Sequence, residues 1–272
     1  MTVASGAIGL LLAVALCALV HVTVMAFAGR ALGVALDEVS FGLGPRLLRM
    51  GKLSIRLLPV GGAVRFQTAS ATMPADDAML ADDTTPADDA MPADDKMLAH
   101  SVEVDMQPDV ATPTALTMPA DEADIDPQHL EAQPLWAQLF IGASGCLALI
   151  ALASALLGGM AGVQALAGGF ANIVSGALSP LHTAQALLAR VDAAAHGLPF
   201  TTLLGQTAAT TAALNLLPLP GANGGYLLGA LGKGAGLAKH WPASLTQILL
   251  LGYVALAASW LVSAVIYLSS GV

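Results

Sequence analysis

The chain has 272 residues, of which 56% are hydrophobic and 11% charged, and its mean hydropathy is +0.73. This composition is typical of an integral membrane protein. The formal net charge is −9, but 16 of the 19 acidic residues lie between Asp76 and Glu131. The acidity therefore belongs to one segment, and an acidic apolar chain excludes nucleic acid as an expected partner.

The first apolar segment, near residues 5–28, is long enough to cross a bilayer, which takes about 20 helical residues. No Lys or Arg precedes Arg30 and no cleavage site follows a short apolar core, so we expect a membrane helix and not a cleaved signal peptide. The segment contains His21 in the order H-V-T-V-M. A zinc protease helix has H-E-x-x-H, with two zinc ligands one turn apart and Glu as the general base. Here Val22 stands at the Glu position and Met25 at that of the second His.

Residues 39–66 alternate around Gly-rich turns and predict short strands at 39–43, 53–57 and 63–66. We expect a small membrane-associated β-hairpin that contains the turn P-V-G-G at 59–62. Two uses of this hairpin stay open. It could bind an extended partner by strand addition, or anchor a cytoplasmic loop to anionic lipid headgroups through its Arg residues.

Residues 67–133 differ from the rest of the chain because they contain a six-residue repeat of the type M-P-A-D-D-A, which begins at Met73. Frequent Pro breaks helices, and paired Asp residues repel each other, so this segment cannot bury a core. We expect a disordered acidic insert. Adjacent Asp pairs without a Gly turn do not predict a calcium site.

Three further spans are predicted near 135–160, 199–217 and 244–269, with an Ala- and Gly-rich loop at 161–198 between the second and third. The third span ends in L-P-L-P at Pro220, so its helix must unwind inside the protein, and Asn215 is expected to bond the freed backbone groups. Cys17 and Cys146 both fall within spans and are interpreted as small buried residues, not as a disulfide or a metal pair.

The basic residues predict the orientation. Six of the ten Lys and Arg residues lie between Arg30 and Arg65, in the connection between the first two spans, and Lys233 and Lys239 lie between the third and fourth. By the positive-inside rule these loops, and with them the acidic insert, are cytoplasmic, and both termini are outside.

Taken together, these segments resemble the site-2 protease family of intramembrane zinc metalloproteases. The resemblance rests on the helix containing His21, the P-V-G-G hairpin at 59–62 and N-L-L-P-L-P-G-A-N-G-G from Asn215 to Gly225. The family has H-E-x-x-H, then a P-x-G-G-x-V/I turn, then N-x-x-P-x-P-x-x-D-G-G, whose Asp is the third zinc ligand. The resemblance implies that Asn223 stands at that third position.

The same resemblance implies that zinc-dependent proteolysis is lost. Val22 replaces the base, Met25 and Asn223 replace two ligands, and a G-P-x-x-N element reads G-C-L-A-L from Gly145, without its Pro and Asn. No Asp or Glu lies in any predicted span, and no other catalytic motif replaces the site. The region between the second and third spans is also too short for the PDZ domain of about 90 residues that many relatives carry.

We therefore predict an all-α polytopic membrane protein with about four transmembrane helices, the hairpin and the insert, divided into 1–66, 67–133 and 134–272. His21, Val22, Met25 and Asn223 are its vestigial active-site positions, with no catalytic residue and no metal ligand. It is expected to lie in a bacterial inner membrane, to hold no cofactor, and to bind lipid and a transmembrane protein or peptide without cleaving it. The alternatives are an active zinc metalloprotease with an atypical site, and a membrane protein that handles a small molecule or ion.

Overall fold

The computed structural model describes residues 3–67, 128–236 and 243–270, which form a mostly helical structure with one small sheet. This confirms the predicted helical membrane fold with a hairpin. The elements in chain order are α1 (Val3–Ala31), β1 (Leu36–Met50), β2 (Leu53–Phe66), a 3-10 turn (Leu130–Ala132), α2 (Leu135–Leu157), α3 (Gly159–Leu178), α4 (Thr183–Gly197), α5 (Phe200–Leu216), α6 (Asn223–Gly234) and α7 (Ala243–Ser269).

Helix α5 lies at the centre of the bundle, where it packs against α1, α2 and α3. Ala208, Ala209 and Ala212 are fully buried in one core cluster with Cys17 of α1 and Leu149 of α2. Small side chains at such positions let helix backbones approach closely, which is how membrane helices associate without a hydrophobic driving force between them.

Four helices are long and apolar enough to cross a membrane: Gly6–Ala31, Leu135–Leu157, Gly159–Leu178 and Thr246–Ser269. Three of them match the spans predicted near 5–28, 135–160 and 244–269. The predicted third span, 199–217, also forms a helix, α5, whose 17 residues lie at the lower end of the range of about 17–25 residues that a crossing takes.

The prediction of a loop at 161–198 was wrong, because this region forms α3 and α4. Its Gly content suggested a loop, yet Gly in a membrane helix provides room for a neighbour. Gly162 lies against Ser154 of α2, and Gly169 lies against Ala213 and Thr210 of α5. Tertiary packing therefore outweighs the low helix propensity of Gly.

Helices α3 and α4 form an antiparallel pair. The start of α3 lies beside the end of α2, where Gly162 contacts Ser154. The end of α4 lies beside the start of α1, where His196 contacts Gly6. Since α1 and α2 are themselves antiparallel, with His21 against Gly145, the α3–α4 connection lies at the opposite end of the bundle from Gly6.

The sheet is a strongly bent β1–β2 hairpin that contains all three predicted strands, but those at 53–57 and 63–66 are parts of one strand, β2, so the turn predicted at 59–62 lies within a strand. The register pairs Phe41 with Gly62 and also with Ile55, so the first part of β1 lies between two parts of β2. Gly42, at φ 95°, permits the bend, because a Cβ there would lie 2.4 Å from the carbonyl oxygen of Leu58.

Only the two ends of the predicted insert, Gln67 and residues 128–133, belong to the part of the chain that the structure describes, so the expectation of disorder falls mostly outside it. Contrary to the boundary predicted at residue 133, the segment after Gln128 is ordered. The Leu130 side chain is buried against Met25, Val34 and Ile141. Its N–H donates to the carbonyl of Gln67 at 3.2 Å, and the Ala35 N–H donates to the carbonyl of Gln128 at 2.9 Å.

Candidate functional site

Helix α1 places His21 and Met25 one turn apart on the same face, as the sequence spacing predicts. Both side chains are buried, with 5% and 8% of their surface exposed. The imidazole of His21 faces Gly145 of α2, where the absence of a side chain leaves room for the ring. A Cβ at Gly145 would lie 2.6 Å from Nδ1 of His21.

The Pro-broken end of α5 brings Asn223 to this face. After Leu216 the chain turns, and α6 begins at Asn223. The first turn of α6 lies against backbone carbonyls of residues 216–219. A Cβ at Gly224 would lie 2.3 Å from the carbonyl oxygens of Leu216 and Leu217, and one at Gly225 would lie 2.2 Å from that of Leu219. The two glycines are therefore needed for the close turn that positions Asn223.

The side-chain amide of Asn223 is the centre of the site. Its Nδ2 lies 2.8 Å from the carbonyl oxygen of Gly142, 3.4 Å from Nε2 of His21 and 3.5 Å from Sδ of Met25. The Gly142 carbonyl can only accept a hydrogen bond, so the amide nitrogen, and not the oxygen, must be the atom at this position. The amide then donates to Nε2 as well, which requires that this nitrogen of His21 carries no proton.

Val22 is 3% exposed and packs beneath the hairpin. A Cβ at Gly62 would lie 2.6 Å from a methyl carbon of Val22 and 2.7 Å from the carbonyl oxygen of Ser40. The hairpin backbone therefore covers the position where the resemblance places a general base. Phe66 extends this cover, since its ring lies directly over Gly29 of α1.

The remaining predicted residues lie elsewhere or act differently. Asn215 donates to the carbonyl of Thr211, one turn back in its own helix, at 2.9 Å. The carbonyl of Leu214, which Pro218 leaves without its usual donor, accepts instead from the N–H of Leu217. The prediction that Asn215 would bond the groups freed by proline was therefore wrong. Cys17 packs in the core cluster with Leu149.

Sequence reasoning missed the role of Cys146, whose Sγ lies 3.9 Å from Nδ2 of Asn223. Cys146 is 1% exposed and was interpreted only as a small buried residue. Its spacing could have indicated more, because Gly142, Gly145 and Cys146 recur at helical intervals and must share one face of α2.

These residues do not fit a catalytic zinc ion, which needs three His, Cys or carboxylate ligands and an open water position. The amide of Asn223 turns its nitrogen, a donor, towards the point where a ligand atom would have to stand. Among the residues described, no three His, Cys, Asp or Glu side chains are grouped so that they could hold a metal. Within the residues that the structure describes, the acidic side chains are Asp37, Glu38, Glu131 and Asp192. Glu38 binds Ser54 and Arg46 in the hairpin, and Asp192 binds His196.

A separate cavity of about 610 Å³ lies between α1, α3, α4 and α5, and none of the four predicted site residues lines it. Its wall is mostly apolar, with polar side chains from Asn172, Arg190, Gln206 and Thr210. This cavity and the site around His21 and Asn223 are therefore different places.

Comparison with known proteins agrees with the order of these elements. The family model for Peptidase family M50 matches residues 8–259 and so covers α1, the hairpin, the helical bundle and most of α7. No curated protein and no solved structure is significantly similar to the chain. With His21 on α1, the hairpin above Val22 and the Pro-broken end of α5 in the order that the family requires, the chain belongs to peptidase family M50, the site-2 protease family.

Proposed function

We propose that this membrane protein has lost zinc-dependent proteolysis and acts by binding a transmembrane protein or peptide. The observation that supports this most directly is the amide of Asn223, which donates to Gly142 and His21 where the family would have a carboxylate ligand. Val22, at the position where the family has its Glu base, has no group that could accept a proton.

The retained scaffold supports a binding role. Gly145, Gly224 and Gly225 each fit a close approach that serves only to bring His21 and Asn223 together. The hairpin in addition exposes Leu47, Leu57 and Leu58 to the surroundings, beside Arg46 and Arg56. An exposed strand with apolar and basic side chains suits an extended membrane segment with anionic lipid nearby.

We further propose an inner-membrane location with both termini outside and the insert cytoplasmic, because the basic residues cluster next to the hairpin. A membrane-impermeant thiol reagent added to intact cells should label Ser270→Cys and leave Ser101→Cys unlabelled. Labelling at position 101 would reverse the orientation without affecting the proposal of lost proteolysis.

The proposal of lost proteolysis is tested by metal content and cleavage. Protein purified without chelators should contain far less than one zinc per chain and should leave transmembrane peptides intact in nanodiscs. The triple variant Val22→Glu, Met25→His, Asn223→Asp should regain zinc, since it restores the ligand set and the base. One zinc per chain in the natural sequence, or cleavage abolished by His21→Ala, would establish an active enzyme instead.

Binding is tested by photo-crosslinking in the same nanodiscs. A photoreactive residue at Leu57 of the hairpin should crosslink to an unstructured transmembrane peptide, whereas the same residue at exposed Leu268 of α7 should not. Equal crosslinking at both positions would show that the hairpin has no special role.

A second candidate function, the handling of a small molecule, is favoured by the 610 Å³ cavity with Arg190 in its wall. Flux of small anions in proteoliposomes would support it if the flux is lost in Arg190→Gln. Flux that is equal in the two proteins, or absent from both, would remove this candidate.

A further inference from the structure

Three side chains with soft or nitrogen donor atoms converge on one point in the bundle. Nε2 of His21, Sδ of Met25 and Sγ of Cys146 lie 3.4, 3.5 and 3.9 Å from the amide nitrogen of Asn223. They come from the adjacent helices α1 and α2, and all three are at least nine-tenths buried. The convergence is therefore part of the packed core.

The lone pair of His21 is directed into this cluster. Since the Gly142 carbonyl fixes the amide nitrogen of Asn223, that nitrogen donates to Nε2, which must be the unprotonated ring nitrogen. Nδ1, on the other side of the ring, lies against Gly145 of α2 and is then the ring nitrogen that carries the proton. The imidazole is thus already in the tautomer and orientation of a metal ligand.

The donor set selects the metal. An imidazole nitrogen, a thioether and a thiolate are the ligands that Cu(I) prefers, whereas a thioether is a poor ligand for zinc and carboxylate sites suit harder cations. The charge of the ion also favours Cu(I). A monovalent cation with one thiolate is neutral, while a divalent cation would leave a net positive charge in a buried pocket, at a large desolvation cost.

We propose that His21, Met25 and Cys146 form a buried Cu(I) site, at the place where the family's zinc ion would be but with a different ligand set. On binding, the S–H bond of Cys146 breaks, a Cu–S bond forms and the proton leaves to solvent, with no change in oxidation state. Asn223 is not a ligand. Its amide nitrogen occupies the point of convergence in the metal-free protein and must rotate away before the metal enters.

The chain offers a matched control for the thiol. Cys17 lies one turn before His21 on α1 and is 0% exposed, but it packs against Leu149 and Ala153 in the core cluster and not at the site. Cys146→Ser and Cys17→Ser therefore make the same chemical change in equally buried positions. Six of the ten methionines lie between Met73 and Met118, so total copper is not diagnostic and the comparison of variants is the measurement.

The experiment is an anaerobic Cu(I) titration of the full-length protein in detergent, in competition with the chelator bicinchoninate. We expect one tightly held Cu(I) per chain, a loss of affinity of more than tenfold in Cys146→Ser and in Met25→Leu, and unchanged affinity in Cys17→Ser. Asn223→Ala should bind Cu(I) more tightly, because it removes the competing amide and keeps all three donors. X-ray absorption should show nitrogen and sulfur neighbours around the copper.

Equal affinity in Cys146→Ser and Cys17→Ser would overturn the site, and so would weaker binding in Asn223→Ala. Each variant must elute as a single species at the wild-type volume in size-exclusion chromatography, so that unfolding is not mistaken for a lost ligand. The inference does not depend on the proposed function. Stoichiometric zinc would contradict both proposals, whereas failure of Cu(I) to bind contradicts this one alone.

Discussion

Single glycines determine which side chains can meet in the site around His21 and Asn223. Gly145 faces the imidazole of His21, Gly62 faces the methyl groups of Val22, and Gly142 faces the ring of Tyr226. In each case a Cβ would lie less than 3 Å from its neighbour. These positions are specified by the space that they leave, so a side chain there should destabilise the protein, in contrast to one at a helical glycine with open space around it.

The first prediction follows from this contrast. Gly145→Ala should destabilise the protein by about 1–3 kcal/mol, because the methyl group would overlap both the ring and the backbone carbonyl of His21. Gly168→Ala, in α3, is the control, since no atom lies within 4 Å of its Cβ position. It should be neutral or stabilising by up to about 1 kcal/mol through helix propensity. Thermal unfolding in detergent, followed by circular dichroism, measures both, and a stabilised Gly145→Ala would contradict the structure.

At the scale of elements, the hairpin depends on a polar contact beneath its strands. The Ser54 hydroxyl is buried and donates to the Glu38 carboxylate at 2.8 Å, and Arg46 lies 3.4 Å from the same oxygen. This hydrogen bond lowers the pKa of Glu38; partial desolvation opposes the shift, and Arg46 and two further Arg residues add to it. The ionised carboxylate is therefore the form that stabilises the hairpin.

The second prediction gives the pH dependence of this contact. Because the pKa of Glu38 is lower in the folded hairpin, its contribution is fully present above the ordinary pKa of a glutamate and is lost as the pH falls through the lowered folded pKa. Amide hydrogen exchange of β1 and β2, corrected for the intrinsic pH dependence, should rise in that acidic range. Ser54→Ala should make the hairpin less protected at neutral pH and reduce the acid-induced change. An unaltered pH profile in Ser54→Ala would exclude this contact as its cause.

Helices α3 and α4 give a third prediction, which replaces the outside loop expected from the sequence. If α3 crosses the membrane, Met160 and Leu181, which are both exposed, lie on opposite sides of it. In intact cells an impermeant thiol reagent should therefore label only one of Met160→Cys and Leu181→Cys. Labelling of both from one side would show that α3 lies within or beside the bilayer without crossing it.

Much of the site could be predicted from local spacing, and its surroundings could not. His21 and Met25 share a helix face whatever the tertiary structure, and the prolines with the two glycines before Tyr226 determine a broken helix end. The contact of Gly62 with Val22, and the position of Cys146 beside Asn223, depend on how separate elements pack. Helices α3 and α4 were missed because Gly has a low helix propensity, which packing outweighs: α3 packs on α2 and α5, and α4 packs on α1, α3 and α7.

At the scale of the whole molecule, the residues that flank the segment 68–127 lie next to each other in the fold. Gln67 and Leu130 are hydrogen-bonded to each other, and Ala35 is bonded to both Gln67 and Gln128. The two ends of the segment 68–127 therefore leave the fold side by side. The length of this segment does not affect the geometry of the site. Leu130, which packs beside Met25, belongs to the bundle and follows the segment in the chain.

The fourth prediction concerns replacement of residues 68–127 by a four-residue Gly-Ser linker. The shorter connection should leave the fold intact and stabilise it by about 2 kcal/mol through a smaller loop-closure entropy, if the segment contributes no structure of its own. Thermal unfolding and zinc or Cu(I) content, compared with those of the full chain, measure the outcome. A variant that no longer elutes as a single folded species would show that the segment supports the bundle.

The paired ends also mean that covalent continuity at this point is dispensable. α1 and the hairpin could be produced as one polypeptide and α2 to α7 as another, because the surfaces that recognise each other, His21 against Gly145 and Cys17 against Leu149, lie within the bundle. Two such fragments, inserted separately into one membrane, would carry half of the former active site each. Assembly of the pair could then be controlled in a cell through the synthesis of either fragment. The site would be complete only when both fragments are present, so its formation would report that they have assembled.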